Sequence, residues 1–210
     1  MKMTKTYIYR LIHHKNLPFI LQNGMHSAHS SLKDPNYINI GHTTLIQRRD
    51  KRQVPVSPHG CLADYVPFYF TKKPPMLLLI KNNKVIGFEG SQEDIIYLVS
   101  TVEKVAELQL PFVFTDRHAV FEHTAFFNNG SDLPKIDWGI IHENYWANTE
   151  SDNQRKERKQ AEFLIHRHAP AASMLGIVCA NESTLTEVNE MLATANSALQ
   201  AIIRKDFYYL

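Results

Sequence analysis

The sequence predicts an α+β fold, in which flanking helices cover a mixed or mostly antiparallel sheet. About six or seven short segments rich in branched and aromatic residues have the pattern of strands, and about four have that of helices. The two kinds of segment seldom alternate, as they would in a doubly wound parallel sheet. At 210 residues, of which 44% are hydrophobic, the chain is long enough to bury one core, and we expect a single domain over residues 1–210.

The first half of the chain supplies strands around one short helix. In order, the predicted elements are a strand at residues 7–13, a helix at 17–22, a strand at 65–70 and a further element at 76–80. Asn16 is the expected N-cap of the helix, and Gly24 ends it. Pro67 predicts a sheet edge or a bulge, because proline has no N–H to donate to a neighbouring strand.

The second half is more regular. In order, it contains a strand at residues 95–99, a helix at 101–108, strands at 112–114, 161–166 and 175–180, a helix at 185–200 and a last strand at 201–204. Ser100 and Glu103 have the spacing of a capping box at the start of the first helix, and Ser183 is the expected N-cap of the second.

One predicted strand carries a carboxylate among apolar residues. Alternation places Ala161, Phe163 and Ile165 on one face of the strand and Glu162 and Leu164 on the other. A glutamate in such a setting destabilises the fold unless it is partnered or used. Glu162 is therefore a candidate functional residue, although a solvated sheet face or a strand edge would also accommodate it.

Residues 27–60 lack hydrophobic periodicity, and a connection of this length is usually a functional loop or a disordered one. The segment contains a cluster of four cations, at Arg48, Arg49, Lys51 and Arg52. Such a cluster is either a solvated helix face or a grip for the phosphates of a dinucleotide or a nucleic acid, for which arginine offers planar, bidentate donors.

Residues 121–146 form a second irregular segment, rich in aromatic side chains and preceded by a polar cluster at the end of a strand. Among its side chains are the aromatic residues Phe126, Phe127, Tyr145 and Trp146, together with His123 and His142. Aromatic side chains among polar residues stack on unpaired bases or pack within their own loop, and the pattern leaves both open. The polar cluster, residues 115–118, is either a turn or one edge of a site.

Several classes of protein have no support in the sequence. There is no glycine-rich phosphate motif, no serine-nucleophile motif and no spaced set of metal ligands among the eleven histidines, so we expect no metal. No apolar run is long enough to span a membrane, and the basic start, Met1–Lys5, is not followed by the core of a secretory signal. Two widely spaced cysteines, Cys61 and Cys179, fit the reducing cytoplasm, and a net charge of +2 diagnoses no partner.

Taken in order, a set of short segments resembles the DarT toxins, the DNA ADP-ribosyltransferases of DarT/DarG toxin–antitoxin systems. The matching segments are Tyr-Arg-Leu-Ile-His at residues 9–13 with Asn16 and Leu17, Ile-Asn-Ile-Gly at 38–41, Arg48-Arg49 before Val54-Pro55, residues 64–70 with 75–77, residues 111–118, and Lys-Gln-Ala-Glu at 159–162. They cover nearly the whole chain in the order of the family.

The resemblance implies an ADP-ribosyltransferase-like fold, with a split and strongly bent sheet and NAD+ as co-substrate in its cleft. It implies transfer of ADP-ribose to a base of single-stranded DNA, which blocks replication. The resemblance is to the branch that modifies thymidine in a short sequence context. It also implies reversal by a macrodomain antitoxin of the DarG type. In these terms residues 27–60 become the loop on the NAD+ side, and residues 119–148 the loop that reads the substrate.

The resemblance also assigns residues. Glu162 and Arg49 match the catalytic pair, and Arg49 also matches a cofactor contact. The other cofactor contacts implied are Arg10, Leu11, His13, Asn16, Gly41, Tyr69 and Met76. The DNA contacts implied are Thr115, Arg117, His118, Phe127, Tyr145 and Trp146. The alternatives are a non-catalytic module that binds single-stranded nucleic acid, and an ADP-ribosyltransferase that acts on guanosine, RNA or protein.

Overall fold

The computed structural model describes residues 5–209, which form ten strands and seven α-helices. The strands are β1 (Tyr7–His13), β2 (Met25–His26), β3 (Tyr65–Tyr69), β4 (Ile95–Thr101), β5 (Phe112–Thr115), β6 (Phe126–Phe127), β7 (Glu162–His166), β8 (His168–Ala169), β9 (Gly176–Cys179) and β10 (Ala201–Ile203). The helices are α1 (Leu17–Asn23), α2 (Thr43–Lys51), α3 (Pro75–Lys81), α4 (Val102–Glu107), α5 (Trp138–His142), α6 (Arg155–Arg158) and α7 (Glu182–Thr194).

Eight strands form one sheet in the order β10-β9-β4-β1-β3-β7-β5-β6, and β2 pairs with β8 separately. Every pair in the large sheet is antiparallel except β10 with β9. The α+β prediction with a mixed, mostly antiparallel sheet is therefore confirmed. The short pairs β2, β6 and β8 went unpredicted, because two residues are too few to show an alternating pattern.

The sheet is split between β1 and β3. β1 pairs with β4 along its whole length, whereas among residues 5–209 it pairs with β3 at one position, Tyr9 opposite Tyr69. Pro67 lies in β3 at this split, and its carbonyl accepts a bond of 3.1 Å from Arg10 Nη1. The prediction that Pro67 marks a sheet edge is wrong. β3 is a central strand, and the missing N–H of Pro67 is tolerated because the ladder on that side is open.

β7 shows the predicted alternation. Phe163 and Ile165, with Ala161 just before the strand, enter the largest hydrophobic cluster, between the sheet and helices α1 and α7. Leu164 enters a smaller cluster on the opposite face with Tyr65. Glu162 therefore lies on the Leu164 face, away from the main core.

The predicted caps differ from those observed. Asn16 makes no side-chain cap at α1, and it bonds both backbone groups of Ile38 instead. Thr101 rather than Ser100 caps α4, since β4 extends to that residue. Helix α7 begins after Asn181, not Ser183, and it ends at Thr194 rather than near residue 200. The predicted type of element is right in each case, and α1 begins at Leu17 as predicted, whereas the predicted boundaries of α4 and α7 are wrong.

Both irregular segments contain regular structure. Helix α2 lies within residues 27–60, and β6 and α5 lie within residues 121–146. Across the described chain, no helix is both long and apolar enough to cross a membrane. The basic residues 1–4, which entered the expectation of no secretory signal, lie outside the described residues.

Candidate active site

Glu162 is the first residue of β7, and a buried threonine side chain binds its backbone. Its backbone N–H donates to Thr115 Oγ1 over 3.1 Å, and the Thr115 hydroxyl donates to the Arg117 carbonyl over 2.6 Å. Glu162 is 3% exposed. In the ladder between β3 and β7, Glu162 lies opposite Tyr69, so the two side chains share one face of the sheet.

Three groups converge on the Glu162 carboxylate. Arg49 Nη1 donates to Oε2 over 2.7 Å, the Ala119 N–H donates to Oε1 over 2.9 Å, and His118 Nδ1 lies 3.0 Å from Oε1. Burial by itself raises the pKa of this carboxyl, but the Arg49 charge, His118 and the Ala119 N–H outweigh it and lower the pKa to about 2. The carboxylate is therefore ionised at any pH near neutrality.

Arg49 presents an unused donor at the same place. Its Nη2 is buried and finds no hydrogen-bond partner among residues 5–209. A buried, unpaired guanidinium N–H is costly unless a ligand or water accepts from it. Arg49 therefore binds Glu162 through Nη1, while Nη2 is available to an anionic or carbonyl oxygen.

The other two arginines of the cluster connect α2 and its C-terminal end to residues 121–146. The Arg48 guanidinium lies 6.0 Å from the centre of the Phe121 ring, and Arg52 Nη2 donates to the Glu122 carbonyl over 3.2 Å. On the opposite side, His29 bridges Asp50 and Asp64 over 2.6 and 2.9 Å. These contacts hold α2 against the site so that Arg49 reaches Glu162.

Tyr69 and Met76 form a wall beside the carboxylate. The Tyr69 hydroxyl lies 3.9 Å from Met76 Sδ, and Met76 belongs to the first turn of α3. Burial raises the pKa of Tyr69 far above its ordinary value, so the phenol stays neutral. Arg10, bonded to Pro67, lies on the neighbouring strand at the split of the sheet. A neutral ring and a thioether suit a planar, electron-poor ligand.

Four further residues assigned to the cofactor lie apart from the Glu162 carboxylate. Leu11 is buried in the core, so that only its backbone is left for a ligand. The His13 ring stacks on the His14 ring with their centres 4.6 Å apart, and His13 Nδ1 accepts a hydrogen bond from the Lys15 N–H. Asn16 fastens Ile38 in the first loop, and the Gly41 N–H donates to Asn39 within a turn just before α2. Asn16 and Gly41 thus shape the loop that carries Arg49.

The three residues after β5 divide between the carboxylate and the surface. Thr115 is fully buried beneath Glu162 and does not face a ligand. Arg117 is held by Asp116 and by Gln154, over 3.1 and 3.0 Å. His118 is the one of the three that touches the Glu162 carboxylate.

The predicted aromatic DNA contacts have different surroundings. Phe127 packs on Phe114 with its ring centre 5.2 Å away. Tyr145 is 70% exposed, whereas the neighbouring Trp146 donates from Nε1 to the Tyr209 hydroxyl over 3.2 Å. Tyr209 in turn donates to the Lys73 carbonyl over 2.9 Å, two residues before α3. Trp146 is therefore connected through Tyr209 to the segment just before α3.

Residue type did not point to two features at or near the site. The Ala119 N–H acts on Glu162 through the backbone, which residue type does not reveal. Lys159 is 2% exposed, and an isolated lysine at the end of a charged run reads as a surface residue. Its position three residues before Glu162 was the one available hint.

Two groups of described side chains have the chemistry of metal ligands: His13, His14 and Asp94, and His29, Cys61 and Asp64. His14 Nε2 lies 3.0 Å from Glu187, and both nitrogens of His29 are bonded to carboxylates.

Comparison with known proteins agrees with this geometry. Residues 9–209 match the family described as "ssDNA thymidine ADP-ribosyltransferase, DarT". A DNA ADP-ribosyl transferase of Escherichia coli O127:H6 is 37% identical over 205 residues, which cover 98% of this chain and 94% of that protein. The chain belongs to the DarT family.

Solved structures of a DarT protein from Thermus sp. 2.9 share the fold. The complex with ADP-ribosylated single-stranded DNA has a TM-score of 0.91 at 36% identity, and the complex with NAD+ has a TM-score of 0.88 at 34% identity. In both comparisons 100% of each chain is covered. The DarT resemblance and the fold that it implied are confirmed, and the chain is a DNA ADP-ribosyltransferase.

Proposed function

We propose that this enzyme cleaves NAD+ at the bond between nicotinamide and ribose and transfers ADP-ribose to a thymidine base of single-stranded DNA. The observation that carries the proposal is the contact between Glu162 and Arg49, a buried carboxylate with a cation whose second donor is unused. The DarT relationship and the ligands of the Thermus protein, NAD+ and ADP-ribosylated DNA, support the choice of both substrates.

Glu162 stabilises the positive charge that develops on the ribose as nicotinamide leaves. Its pKa of about 2 keeps a full negative charge in place, and its burial keeps that charge from being screened by water. The Ala119 N–H and His118 fix one oxygen, so the carboxylate needs little reorganisation during the reaction. A hydrogen bond from the ribose 2′-hydroxyl is the contact that this role requires.

Arg49 serves the same step from the other side. Its free Nη2 suits a phosphate oxygen of NAD+, or the carbonyl oxygen of the acceptor base as the adjacent ring nitrogen loses its proton. Both uses need the guanidinium within reach of Glu162, and the 2.7 Å contact places it there. We assign Arg49 to both substrates.

The remaining residues divide between the two substrates. Tyr69 and Met76 contact the nicotinamide ring, with Arg10 at the split of the sheet beside them. Leu11, His13, Asn16 and Gly41 act through the backbone or through the shape of residues 27–60. His118, at the strand end next to Glu162, faces the acceptor base, with Arg117 and residues 119–148 beside the DNA.

In the cell, this reaction makes the protein a toxin. An ADP-ribose group on a template base blocks the pairing that replication needs, and we place this action in the cytoplasm, where NAD+ and exposed single strands occur. A macrodomain antitoxin of the DarG type, which the DarT relationship suggests as the partner, would remove the modification. The membrane has no part in this scheme.

Purified enzyme, NAD+ and a thymidine-containing oligonucleotide test the proposal by mass spectrometry. We expect an adduct heavier by one ADP-ribose, and fragmentation should locate it on a thymine. Modification of guanine, of RNA or of an added protein would refute the thymidine assignment. An unmodified oligonucleotide bound tightly by the protein would favour a non-catalytic module.

A further inference from the structure

Residues 158 and 159 hold both ends of helix α5, in the loop that the proposed function assigns to the DNA. At the start of the helix, the Asp137 side chain caps the Ile140 N–H over 3.1 Å and accepts from Arg158 Nε over 2.9 Å. At the end of the helix, Lys159 Nζ donates to the Ile141 carbonyl over 2.8 Å and to the Glu143 carbonyl over 2.6 Å. Two adjacent side chains therefore hold a helix of five residues at both ends.

The burial of Lys159 is unusual for its residue type. Lysine is almost never fully buried unless its charge has partners, and here both partners are backbone carbonyls that end a helix. Burial lowers the pKa of Lys159 to about 8, but both the charged and the neutral amine carry enough N–H groups for two carbonyls. Burying this lysine costs free energy, so we expect it to have a role other than stabilising the fold.

The position of Lys159 in the chain indicates that role. It lies three residues before Glu162, and Ala161 between them is fully buried, so this short segment leaves Lys159 little freedom relative to the carboxylate. The carbonyl of Glu143 is two and three residues before Tyr145 and Trp146. Trp146 continues the connection through Tyr209 to the Lys73 carbonyl, before α3.

We propose that Lys159 is a positioning residue, which fixes Tyr145 and Trp146 relative to the Glu162 carboxylate and so sets where the acceptor strand lies. Lys159 touches neither substrate. It acts through the carbonyls of residues 141 and 143. This inference rests on the proposed function, since it supposes that residues 119–148 meet the DNA.

The test is Lys159→Met, which keeps most of the length of the side chain and removes its donors. With the oligonucleotide assay, we expect kcat/KM for DNA to fall by about 30-fold. The Kd for NAD+ should rise by a much smaller factor, because the Trp146 bond to Tyr209 is loosened and not removed. Hydrogen exchange of residues 143–148 should become faster, with the strands of the sheet unchanged. Lys159→Arg, which can donate to both carbonyls, should recover part of the activity.

Lys156→Met is the matched control, because Lys156 is an exposed lysine on α6 and loses the same charge. We expect it to stay within about threefold of the parent. If Lys159→Met does not fold, Arg158→Met decides, since it releases the other end of α5 from a half-buried position. The inference is overturned if the deciding variant keeps its activity on DNA, or if it loses NAD+ affinity in parallel. Absence of transfer by the parent protein would instead refute the proposed function.

Discussion

At the scale of single residues, the site depends on one buried charge that several partners keep ionised. The pKa of Glu162 is lowered from about 4.5 to about 2, against the effect of burial. Its ionisation therefore stabilises the folded state above the ordinary glutamate pKa, and this contribution is lost as the pH falls through about 2. No limb of the pH–rate profile between pH 5 and 9 should belong to Glu162.

Glu162→Gln separates the charge from the packing. The amide keeps the size of the side chain and an oxygen for the Ala119 N–H, but it supplies no negative charge to the ribose. We expect transfer to fall by about two to three orders of magnitude, with the Kd for NAD+ changed far less, as measured by single-turnover kinetics and calorimetry.

The same substitution has a cost in stability, because Arg49 then faces a neutral partner in a buried site. A loss of about 1–3 kcal/mol in the free energy of unfolding is expected. Glu190→Gln on α7 is the control, since that carboxylate is exposed. Near-parental transfer by Glu162→Gln would remove this carboxylate from the mechanism.

At the scale of elements, helix α2 shows the limit of reading residue types alone. The four cations were visible as a cluster, but only the family resemblance singled out Arg49 as the one that pairs with Glu162. That outcome depends on partners distant in sequence, Phe121 and Glu122 for the neighbouring arginines. By contrast, the two faces of β7 follow from local alternation, and they were predicted correctly. The prediction of a sheet edge at Pro67 was wrong because the split of the sheet allows a central strand to contain a proline.

The contacts through which His29 holds α2 depend on pH. Its hydrogen bonds to Asp64 and Asp50 raise the pKa of His29 above the ordinary value. Because this pKa is raised, protonated His29 stabilises the folded state fully below about pH 6.5. That stabilisation is lost as the pH rises through the pKa of His29 in the folded protein. His29→Gln should therefore lower transfer and stability more at pH 6 than at pH 9.

Parallel assays of transfer and of chemical denaturation at the two pH values measure this difference. His59→Asn is the control, because His59 is exposed and asparagine tolerates its positive φ of 65°. An equal effect of His29→Gln at pH 6 and pH 9 would mean that its charge does not hold α2.

At the scale of the whole molecule, residues 119–148, which we propose to contact the DNA, are also bonded through Trp146 and Tyr209 to the segment before α3. Tyr145 and Trp146 are adjacent in sequence, yet Tyr145 is 70% exposed and Trp146 donates to Tyr209 beside the start of α3. The sequence grouped both residues as DNA contacts, since aromatic type alone cannot show that one indole N–H is already used within the fold. Their different surroundings predict different roles.

Tyr145→Ala and Trp146→Phe form a matched pair that tests this division. Tyr145→Ala removes an exposed ring, so it should raise KM for the oligonucleotide by about tenfold, as expected for the loss of one stacked base, and leave the Kd for NAD+ unchanged. Trp146→Phe keeps an aromatic ring but loses the bond to Tyr209, and should weaken NAD+ binding as well as transfer. Titration of NAD+ and steady-state kinetics on one oligonucleotide distinguish the two. If Trp146→Phe affected DNA alone, the contact through Tyr209 would not couple residues 119–148 to Tyr69 and Met76, the proposed nicotinamide contacts.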